Sequence, residues 1–309
     1  MTAEAAQGLL SPSGARMQAS ETPDLAALIG PARELAHGAG QLALRFFQEA
    51  RVTVDYKPDR SPVTAADRAA HEHIVAGLEQ LTPAIPVLSE ESGDGLRFRR
   101  RLNWPWHWLV DPLDGTRGFI RGSQEFTVNI ALIQADRPVL GVVYAPAKGE
   151  MYFAHEGGGA FFFCPGSGAA EKIGVRRPPS SPLRLLCSNS HAASEVELYD
   201  RYVGAMGETQ QRAMSSSLKF CRIASGAADV YPRMRPTSEW DTAAGQAVLE
   251  CAGGAVIDLQ GQPLRYRKSR ILNPPFIAFG DPEHDWLQYL PQSLQLESSA
   301  FRGTVNECV

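Results

Sequence analysis

The segment over residues 108–116 constrains the fold more than any other, because an apolar run ends there on two carboxylates, Asp111 and Asp114. Gly115 and the hydroxyl of Thr116 follow directly. This order predicts a buried strand that carries acidic ligands to a hard metal ion, followed by a helix whose free backbone amides face a phosphate.

Further acidic residues lie far from this segment in the sequence. Glu90 and Glu91 precede it, and Glu239 and Asp241 follow it well downstream. Magnesium prefers six oxygen ligands, and a cluster of unpaired carboxylates implies bound cations because the carboxylates otherwise repel one another. If the fold brings them together, the ligands are the side chains of Glu90, Asp111, Asp114 and Asp241 and the carbonyl oxygen of Leu113.

The spacing of the two aspartates separates two phosphatase mechanisms. Enzymes that form an aspartyl-phosphate use an Asp-x-Asp pair, whereas Asp111 and Asp114 are separated by two residues. This spacing favours metal-bound water as the nucleophile, without a phosphoenzyme. Thr116 carries a hydroxyl near the expected nucleophile, and Asp67 is the candidate that holds and deprotonates it.

Several of these residues also have a simpler interpretation as parts of local structure. Asp241 precedes a helical pattern and has the chemistry of an N-cap. Thr64 and Asp67 have the spacing of a capping box, and residues 111–115 contain the Asp, Pro and Gly typical of a turn.

Other candidates have an equally plain alternative on the surface. The pair Glu90-Glu91 is typical of a solvated surface, Lys219 of an exposed helix face, and Arg233 of a salt bridge in a loop. The functional interpretation therefore depends on the whole set of residues and not on any one of them.

The bulk composition is that of an ordinary globular chain and excludes several classes of function. Its 309 residues, 44% of them hydrophobic and 21% charged, allow a sizeable core in two packed lobes. The net charge of -4 gives no reason to expect nucleic-acid or membrane binding. No apolar run approaches the roughly 20 residues of a membrane span. Five cysteines without a C-x-x-C pair indicate reduced thiols in a cytoplasmic protein.

The pattern of residues predicts four regions. They are a disordered leader over residues 1–22, an N-terminal lobe over 23–180, a C-terminal lobe over 181–292 and a tail over 293–309. The leader lacks the basic and apolar parts of a secretory signal. The predicted fold class is α/β, with an α+β N-terminal lobe and an α/β C-terminal lobe.

Periodicity predicts the main elements of both lobes. The N-terminal lobe has a helix over 24–50, in which Gly30-Pro31 starts a second segment or a kink, a further helix over 65–81 and a largely antiparallel sheet. In the C-terminal lobe the predicted strands are 183–187, 255–258 and 276–279, and the predicted helices are 195–206, 218–225 and 242–251.

Four segments together resemble the lithium-sensitive, magnesium-dependent phosphatase superfamily that includes inositol monophosphatase and fructose-1,6-bisphosphatase. The segments are residues 61–67, 88–92, 108–116 and 239–245, and the resemblance extends over residues 24–290. Within the superfamily the chain is most similar to bacterial 3'(2'),5'-bisphosphate nucleotidases, through residues 126–133, 215–220, 231–233 and 272–274.

The resemblance implies a layered α/β/α/β/α sandwich and removal of the 3'-phosphate of adenosine 3',5'-bisphosphate, in sulfur assimilation. It implies two to three Mg²⁺ ions on the ligands given above, with Asp67, Thr116 and Glu90 in catalysis. The implied substrate-binding residues are Gly115 and Thr116, through their amides, and Asp241 at the reacting phosphate, and Ser216, Ser217, Lys219 and Arg233 at the second phosphate.

One departure from the nucleotidase pattern concerns the residues after Thr116. Nucleotidases usually carry a basic and then an acidic residue there, whereas this chain has Arg117 and Gly118. Inositol phosphate and histidinol phosphate therefore stay open as substrates, and so does a non-enzymatic metal- or nucleotide-binding protein. The expected partner is a small-molecule phosphate ester, and the expected state is a cytoplasmic monomer or homodimer. The resemblance alone suggests peripheral association with the inner membrane.

Overall fold

The computed structural model describes residues 22–48, 54–56, 62–92, 100–166, 168–188, 193–292 and 294. The predicted leader, apart from residue 22, and the predicted tail, apart from residue 294, lie outside the described residues. None of the helices in the described ranges combines the length and the apolar character that crossing a membrane requires.

The described residues form helices and strands in alternating blocks. The α-helices are α1 (Leu25–Gln48), α2 (Ala65–Leu81), α3 (Thr116–Ile120), α4 (Ala193–Ala205), α5 (Leu218–Ala224) and α6 (Glu239–Cys251). The strands are β1 (Val54–Tyr56), β2 (Pro62–Thr64), β3 (Val87–Ser89), β4 (Trp106–Asp114), β5 (Thr127–Gln134), β6 (Arg137–Ala145), β7 (Glu150–His155), β8 (Gly159–Phe163), β9 (Glu171–Ile173), β10 (Leu183–Cys187), β11 (Thr209–Ala213), β12 (Val230–Arg233), β13 (Ala255–Asp258) and β14 (Phe276–Phe279).

Two large sheets organise the molecule, beside a small sheet in which β1 and β2 pair antiparallel. The first has seven strands in sequence order from β3 to β9, and all neighbours are antiparallel except β3 and β4. The second has five strands in the order β11-β10-β12-β14-β13 and mixes parallel and antiparallel pairs. The predictions of the α/β class and of a largely antiparallel first sheet are confirmed.

Five layers result from the alternation of side chains along the strands. On β5, Val128 and Ile130 face the cluster formed with α1 and α2, whereas Ala131 and Ile133 face the cluster that contains α5 and α6. Residues of α4 pack on the outer face of the second sheet, for example Tyr202. The order is therefore α/β/α/β/α, with α5 and α6 between the sheets.

The predicted division into lobes at residue 180 falls between the two sheets. The first sheet ends at Ile173 and the second begins at Leu183. However, α6 contacts strands of both sheets, so one apolar cluster joins the two halves. The division into two lobes stays a prediction.

Two predicted helix boundaries are wrong. Helix α1 is one helix through Gly30 and Pro31 rather than two segments, because Pro31 is exposed and the buried face continues on either side of it, at Leu28 and Ala32. The alternative of a kink at this point stays a prediction. Helix α6 begins at Glu239 rather than at 242, because Ser238 supplies an N-cap that the sequence pattern alone did not reveal.

Candidate active site

A bulge at the end of β4 brings the two aspartates of the central segment together. Asp111 pairs with Asn129 of β5 but Asp114 pairs with Thr127, so three steps on β4 oppose two steps on β5. Residues three apart on a regular strand point to opposite faces, and the extra residue changes this direction. The register shift therefore lets both carboxylates turn toward one point.

The third carboxylate of the cluster comes from the first turn of α6. Asp241 is the N3 residue of a capping box, and its Oδ2 accepts a hydrogen bond from the backbone N–H of Ser238 at 2.7 Å. Oxygen atoms of Asp111, Asp114 and Asp241 all lie within 4.8 Å of one another. The local interpretation as a plain N-cap is therefore wrong, since Asp241 caps from inside the helix and reaches the cluster as well.

Burial and mutual repulsion govern the protonation of this cluster. The pKa of Asp111 is raised well above its usual value by burial first, and then by the charges of Glu90 and Asp114. The pKa of Asp241 is raised in the same way, by burial and then by Asp114 and Glu90. A bound cation would reverse both effects because it favours the charged carboxylates.

Glu90 and Leu113 lie beside the three aspartates. Glu90 begins a short 3₁₀ turn directly after β3, the parallel neighbour of β4, and lines the same pocket as Asp114 and Asp241. Leu113 is buried, and its carbonyl oxygen lies 3.1 Å from Oγ1 of Thr116. The donors are all oxygen atoms, the ligand chemistry that suits Mg²⁺.

Asp67 connects the start of α2 to the central segment. Its Oδ2 accepts hydrogen bonds from the backbone N–H and the hydroxyl of Thr64, at 2.8 and 2.6 Å, so the capping-box interpretation is correct. Its Oδ1 also accepts a hydrogen bond from the hydroxyl of Thr116 at 3.1 Å. Burial raises the pKa of Asp67, which makes its carboxylate a better proton acceptor.

The turn into α3 needs glycine at position 115. Gly115 has φ 95°, a left-handed conformation that disfavours other residues, and a Cβ there would lie 3.4 Å from the carbonyl oxygen of Glu125. The first hydrogen bond of α3 runs from the N–H of Phe119 to the carbonyl of Gly115. The amides of Gly115 and Thr116 therefore have no partner within the helix.

The predicted serines take two different positions. Ser217 is buried, and its N–H and hydroxyl donate to Oδ2 of Asp114 at 2.7 and 3.0 Å. Ser216 has φ 57° and lines the pocket. Ser216 is thus on the pocket wall, whereas Ser217 lies beneath it and fixes Asp114 against the second half of the chain.

Two cationic side chains, those of Lys219 and Arg233, also line the pocket. Lys219 is 5% exposed, and its Nζ donates to the carbonyl oxygen of Ser216 at 2.6 Å and lies 4.9 Å from the ring centroid of Tyr231. Arg233 donates from Nη1 to the hydroxyl of Ser188 at 2.6 Å. The interpretation of Lys219 as an exposed surface residue is therefore wrong.

These groups surround a cavity of about 370 Å³. Its lining includes Glu90, Asp114, Gly115, Thr116, Arg117, Gly118, Ser188, Met214, Ser215, Ser216, Lys219, Phe220, Tyr231, Arg233, Thr237, Asp241, Thr242 and Phe276. The sequence had not indicated the aromatic wall of Phe220, Tyr231 and Phe276, because each reads as an ordinary core residue. It did give a signal for Arg117, which directly follows the predicted phosphate-binding amides.

Comparison with known proteins places the chain among phosphatases. The inositol monophosphatase family matches residues 24–290. The chain is 48% identical over 247 residues to the 3'(2'),5'-bisphosphate nucleotidase CysQ of Escherichia coli O157:H7, covering 79% of this chain and 96% of the relative. It is 48% identical over 248 residues to the protein of the same name from Salmonella typhimurium, with the same coverage.

Solved structures show the same fold. CysQ from Bacteroides thetaiotaomicron, described as a bacterial member of the inositol monophosphatase family, superposes with a TM-score of 0.71 at 40% identity. That comparison covers 82% of this chain and 97% of the other. The IMPase of Thermotoga maritima gives a TM-score of 0.69 at 26% identity, covering 88% of this chain and 99% of the other.

Proposed function

The chain belongs to the inositol monophosphatase family, and we propose that it is a Mg²⁺-dependent phosphatase that converts adenosine 3',5'-bisphosphate to AMP and phosphate. One observation carries the proposal: the acidic residues Glu90, Asp114 and Asp241 and the cationic residues Lys219 and Arg233 line a single cavity. A metal site and a second anion site within one cavity suit a substrate with two phosphates. The nucleotidase names of the relatives support this substrate.

Two to three Mg²⁺ ions would be held by the predicted oxygen ligands. When bound, they supply Lewis-acid activation of the attacking water and neutralise charge on the reacting phosphate. The ligands are the side chains of Glu90, Asp111, Asp114 and Asp241 and the carbonyl oxygen of Leu113.

Proton transfer from the attacking water falls to Thr116 and Asp67. The hydroxyl of Thr116 already donates to Oδ1 of Asp67, so its lone pairs are free to accept a hydrogen bond from water. The water oxygen bonds to phosphorus, its proton moves through Thr116 toward Asp67, and the bond from phosphorus to the 3'-oxygen breaks. The leaving 3'-oxygen then takes a proton from bulk water and gives AMP, and Asp67 returns the proton it received to bulk water. Glu90, which lines the same cavity, contributes to the same step.

Substrate binding is divided between two groups of residues that line the cavity. The amides of Gly115 and Thr116 bind the reacting phosphate, which also lies against Asp241. Lys219 and Arg233, with Ser216, bind the second phosphate. Ser217 contributes indirectly, because its buried hydroxyl and amide hold Asp114, one of the proposed metal ligands.

A panel of phosphate esters tests the proposal. Phosphate release is measured from adenosine 3',5'-bisphosphate, inositol phosphate, histidinol phosphate and fructose bisphosphate, with Mg²⁺ and with a chelator. The expected result is Mg²⁺-dependent release with the highest kcat/KM on the adenosine bisphosphate. No release from this compound, together with rapid hydrolysis of another ester, would contradict the assignment of substrate.

Two residues that line the cavity are the reason to keep a second candidate substrate. They are Arg117 and Gly118, and a Cβ at Gly118 would meet Ser123 at 3.4 Å, an ordinary contact distance. A side chain at position 118 is thus compatible with the fold, and its lack leaves this part of the cavity open. Inositol phosphate or histidinol phosphate is the alternative substrate. The location in the cytoplasm and the state as monomer or homodimer stay predictions.

A further inference from the structure

A buried network of charges holds the first turn of α6, the helix that carries Asp241. Glu239 is 0% exposed, and its carboxylate accepts hydrogen bonds from the backbone N–H groups of Arg267 at 3.1 Å and Lys268 at 2.9 Å. Nζ of Lys268 lies 2.9 Å from Oε1 of Glu239, and Nε of Arg101 lies 3.9 Å from its Oε2. Two side-chain cations and two amides therefore surround one carboxylate.

Asn273 belongs to the same network and also contacts the start of α6. Its Nδ2 donates to the carbonyl oxygen of Ser238 and to Oγ1 of Thr242, both at 2.9 Å. Its Oδ1 accepts a hydrogen bond from Nζ of Lys268 at 3.0 Å. The N–H of Glu239 in turn donates to the carbonyl of Ile271 at 2.9 Å. Residues 267–273 thus fasten the first turn of α6 at both its side chains and its backbone.

The backbone of this segment is shaped for the contact. Arg267 has φ 59°, a left-handed conformation that residues other than glycine adopt infrequently. In that conformation two successive amides, of Arg267 and Lys268, reach the two oxygens of Glu239. An uncommon conformation of this kind persists only where its surroundings fix it, as Glu239 does here.

Asp241 follows Glu239 by two residues in the same helical turn and lies among carboxylates that repel it. Metal ligands must be held to fractions of an ångström, and a turn that carried Asp241 without an anchor would move away from Asp111 and Asp114. A buried ion pair contributes little net stability to a fold. We therefore interpret this network as one that positions Asp241 rather than one that stabilises the chain. Resting on the proposed function, we propose that Glu239, with Arg101 and Lys268, is a positioning unit that fixes Asp241 for Mg²⁺ binding.

The chain contains a matched control for this unit. Asp229 is 1% exposed, accepts a hydrogen bond from the N–H of Arg184 at 2.7 Å and from Nε of Arg176 at 2.8 Å, and stands before β12. It is a buried carboxylate bound to an amide and an arginine, like Glu239, but neither it nor its partners line the cavity. Asp229→Asn therefore reproduces the loss of a buried anchor without disturbing α6.

The test is isothermal titration calorimetry of Mg²⁺ into the wild-type chain, Glu239→Gln and Asp229→Asn, at a temperature where circular dichroism shows all three folded. We expect Glu239→Gln to raise the dissociation constant for Mg²⁺ by about 10-fold or more. We expect Asp229→Asn to keep the wild-type dissociation constant for Mg²⁺, even if its Tm falls by as much as that of Glu239→Gln. Lys268→Met, which leaves the amide contacts of Glu239 in place, gives a smaller increase and replaces Glu239→Gln if that variant does not fold.

Turnover by Glu239→Gln recovers at raised Mg²⁺, because the catalytic groups themselves are unchanged. Wild-type Mg²⁺ affinity in Glu239→Gln, or in Lys268→Met when that variant replaces it, would overturn the inference. Equal weakening in Asp229→Asn would also overturn it, since the effect would then be one of general stability. A wild-type chain that binds no Mg²⁺ would overturn the proposed metal site, and this inference with it.

Discussion

Two carboxylates that lie two residues apart on α6, the buried Glu239 and the half-buried Asp241, differ in how the fold balances their charge. Glu239 is surrounded by Lys268, Arg101 and two backbone amides. Asp241 and its neighbour Asp111 form no ion pair with lysine or arginine within the described ranges. Burial and mutual repulsion raise the pKa of both, and the positive charge of Arg233 offsets only part of this effect at Asp241. The difference teaches that the chain neutralises the charge of Glu239 with its own groups. It leaves the charges of Asp111 and Asp241 to be neutralised by bound cations.

The largest effect is expected from Asp111→Asn, which changes the carboxylate cluster that is proposed to bind Mg²⁺. Loss of a shared metal carboxylate should lower kcat by about two orders of magnitude or more. The fold should survive, because the change also removes one of the mutually repelling charges. Steady-state kinetics and thermal unfolding, both with and without Mg²⁺, check the two parts. Near-normal turnover in the variant would place the reaction elsewhere in the molecule.

A second prediction concerns His107, which is buried and feels the positive charge of Arg101, one of the partners of Glu239. Burial first, and then the positive charges of Arg101 and Arg267, lower the pKa of His107 to about 3. The imidazole therefore stays neutral in the folded chain while the unfolded chain takes up a proton near pH 6.5. Stability is present above that pH and is lost as the pH falls below it, by about 2 kcal/mol between pH 7 and pH 5.

Urea unfolding at pH 7 and pH 5 measures this loss. The variant His107→Leu places an apolar side chain at this buried position and cannot take up a proton there. Its loss of unfolding free energy between pH 7 and pH 5 should therefore be smaller by about 2 kcal/mol. The other titrating groups are common to both proteins and cancel in the comparison. Equal losses of unfolding free energy in the two proteins would show that His107 does not contribute to the pH dependence.

The smallest of these effects is expected from Lys219→Ala, at the basic part of the cavity. The kcat/KM for the adenosine bisphosphate should fall by about 10-fold or more, and that for a monophosphate by less, since a charge-assisted contact to the second phosphate is lost. Kinetics on the two substrates compare the losses. Equal losses would limit Lys219 to holding the carbonyl oxygens of Met214 and Ser216, which its Nζ also contacts.

Local patterns sufficed for much of the fold. The strands Leu183–Cys187, Ala255–Asp258 and Phe276–Phe279 have the predicted bounds, because each is an apolar run ended by turn residues. Strand β11, Thr209–Ala213, was missed because its largely polar residues lie exposed at the edge of the second sheet. Strand β12 was missed because it contains Pro232, which the sheet tolerates since pairing with β10 is confined to Val230.

The candidate site was predictable where residue chemistry alone identifies a ligand. The acids that the sequence singled out lie around one cavity, although their roles stay predictions. The contacts that place them were not predictable, because they join residues distant in the chain. Ser217 with Asp114, and Glu239 with Arg101, are examples in which no local pattern indicates that the two residues meet. A buried arginine in particular contradicts what its residue type favours.

The most direct test of the central claim is a crystal structure with Mn²⁺ in place of Mg²⁺, solved with anomalous diffraction at the manganese edge. The account predicts anomalous peaks at about 2.1–2.2 Å from oxygens of Asp111, Asp114 and Asp241, the range of octahedral ions of this size. Peaks only at other surfaces of the molecule, with this carboxylate cluster lacking metal at saturating Mn²⁺, would contradict it.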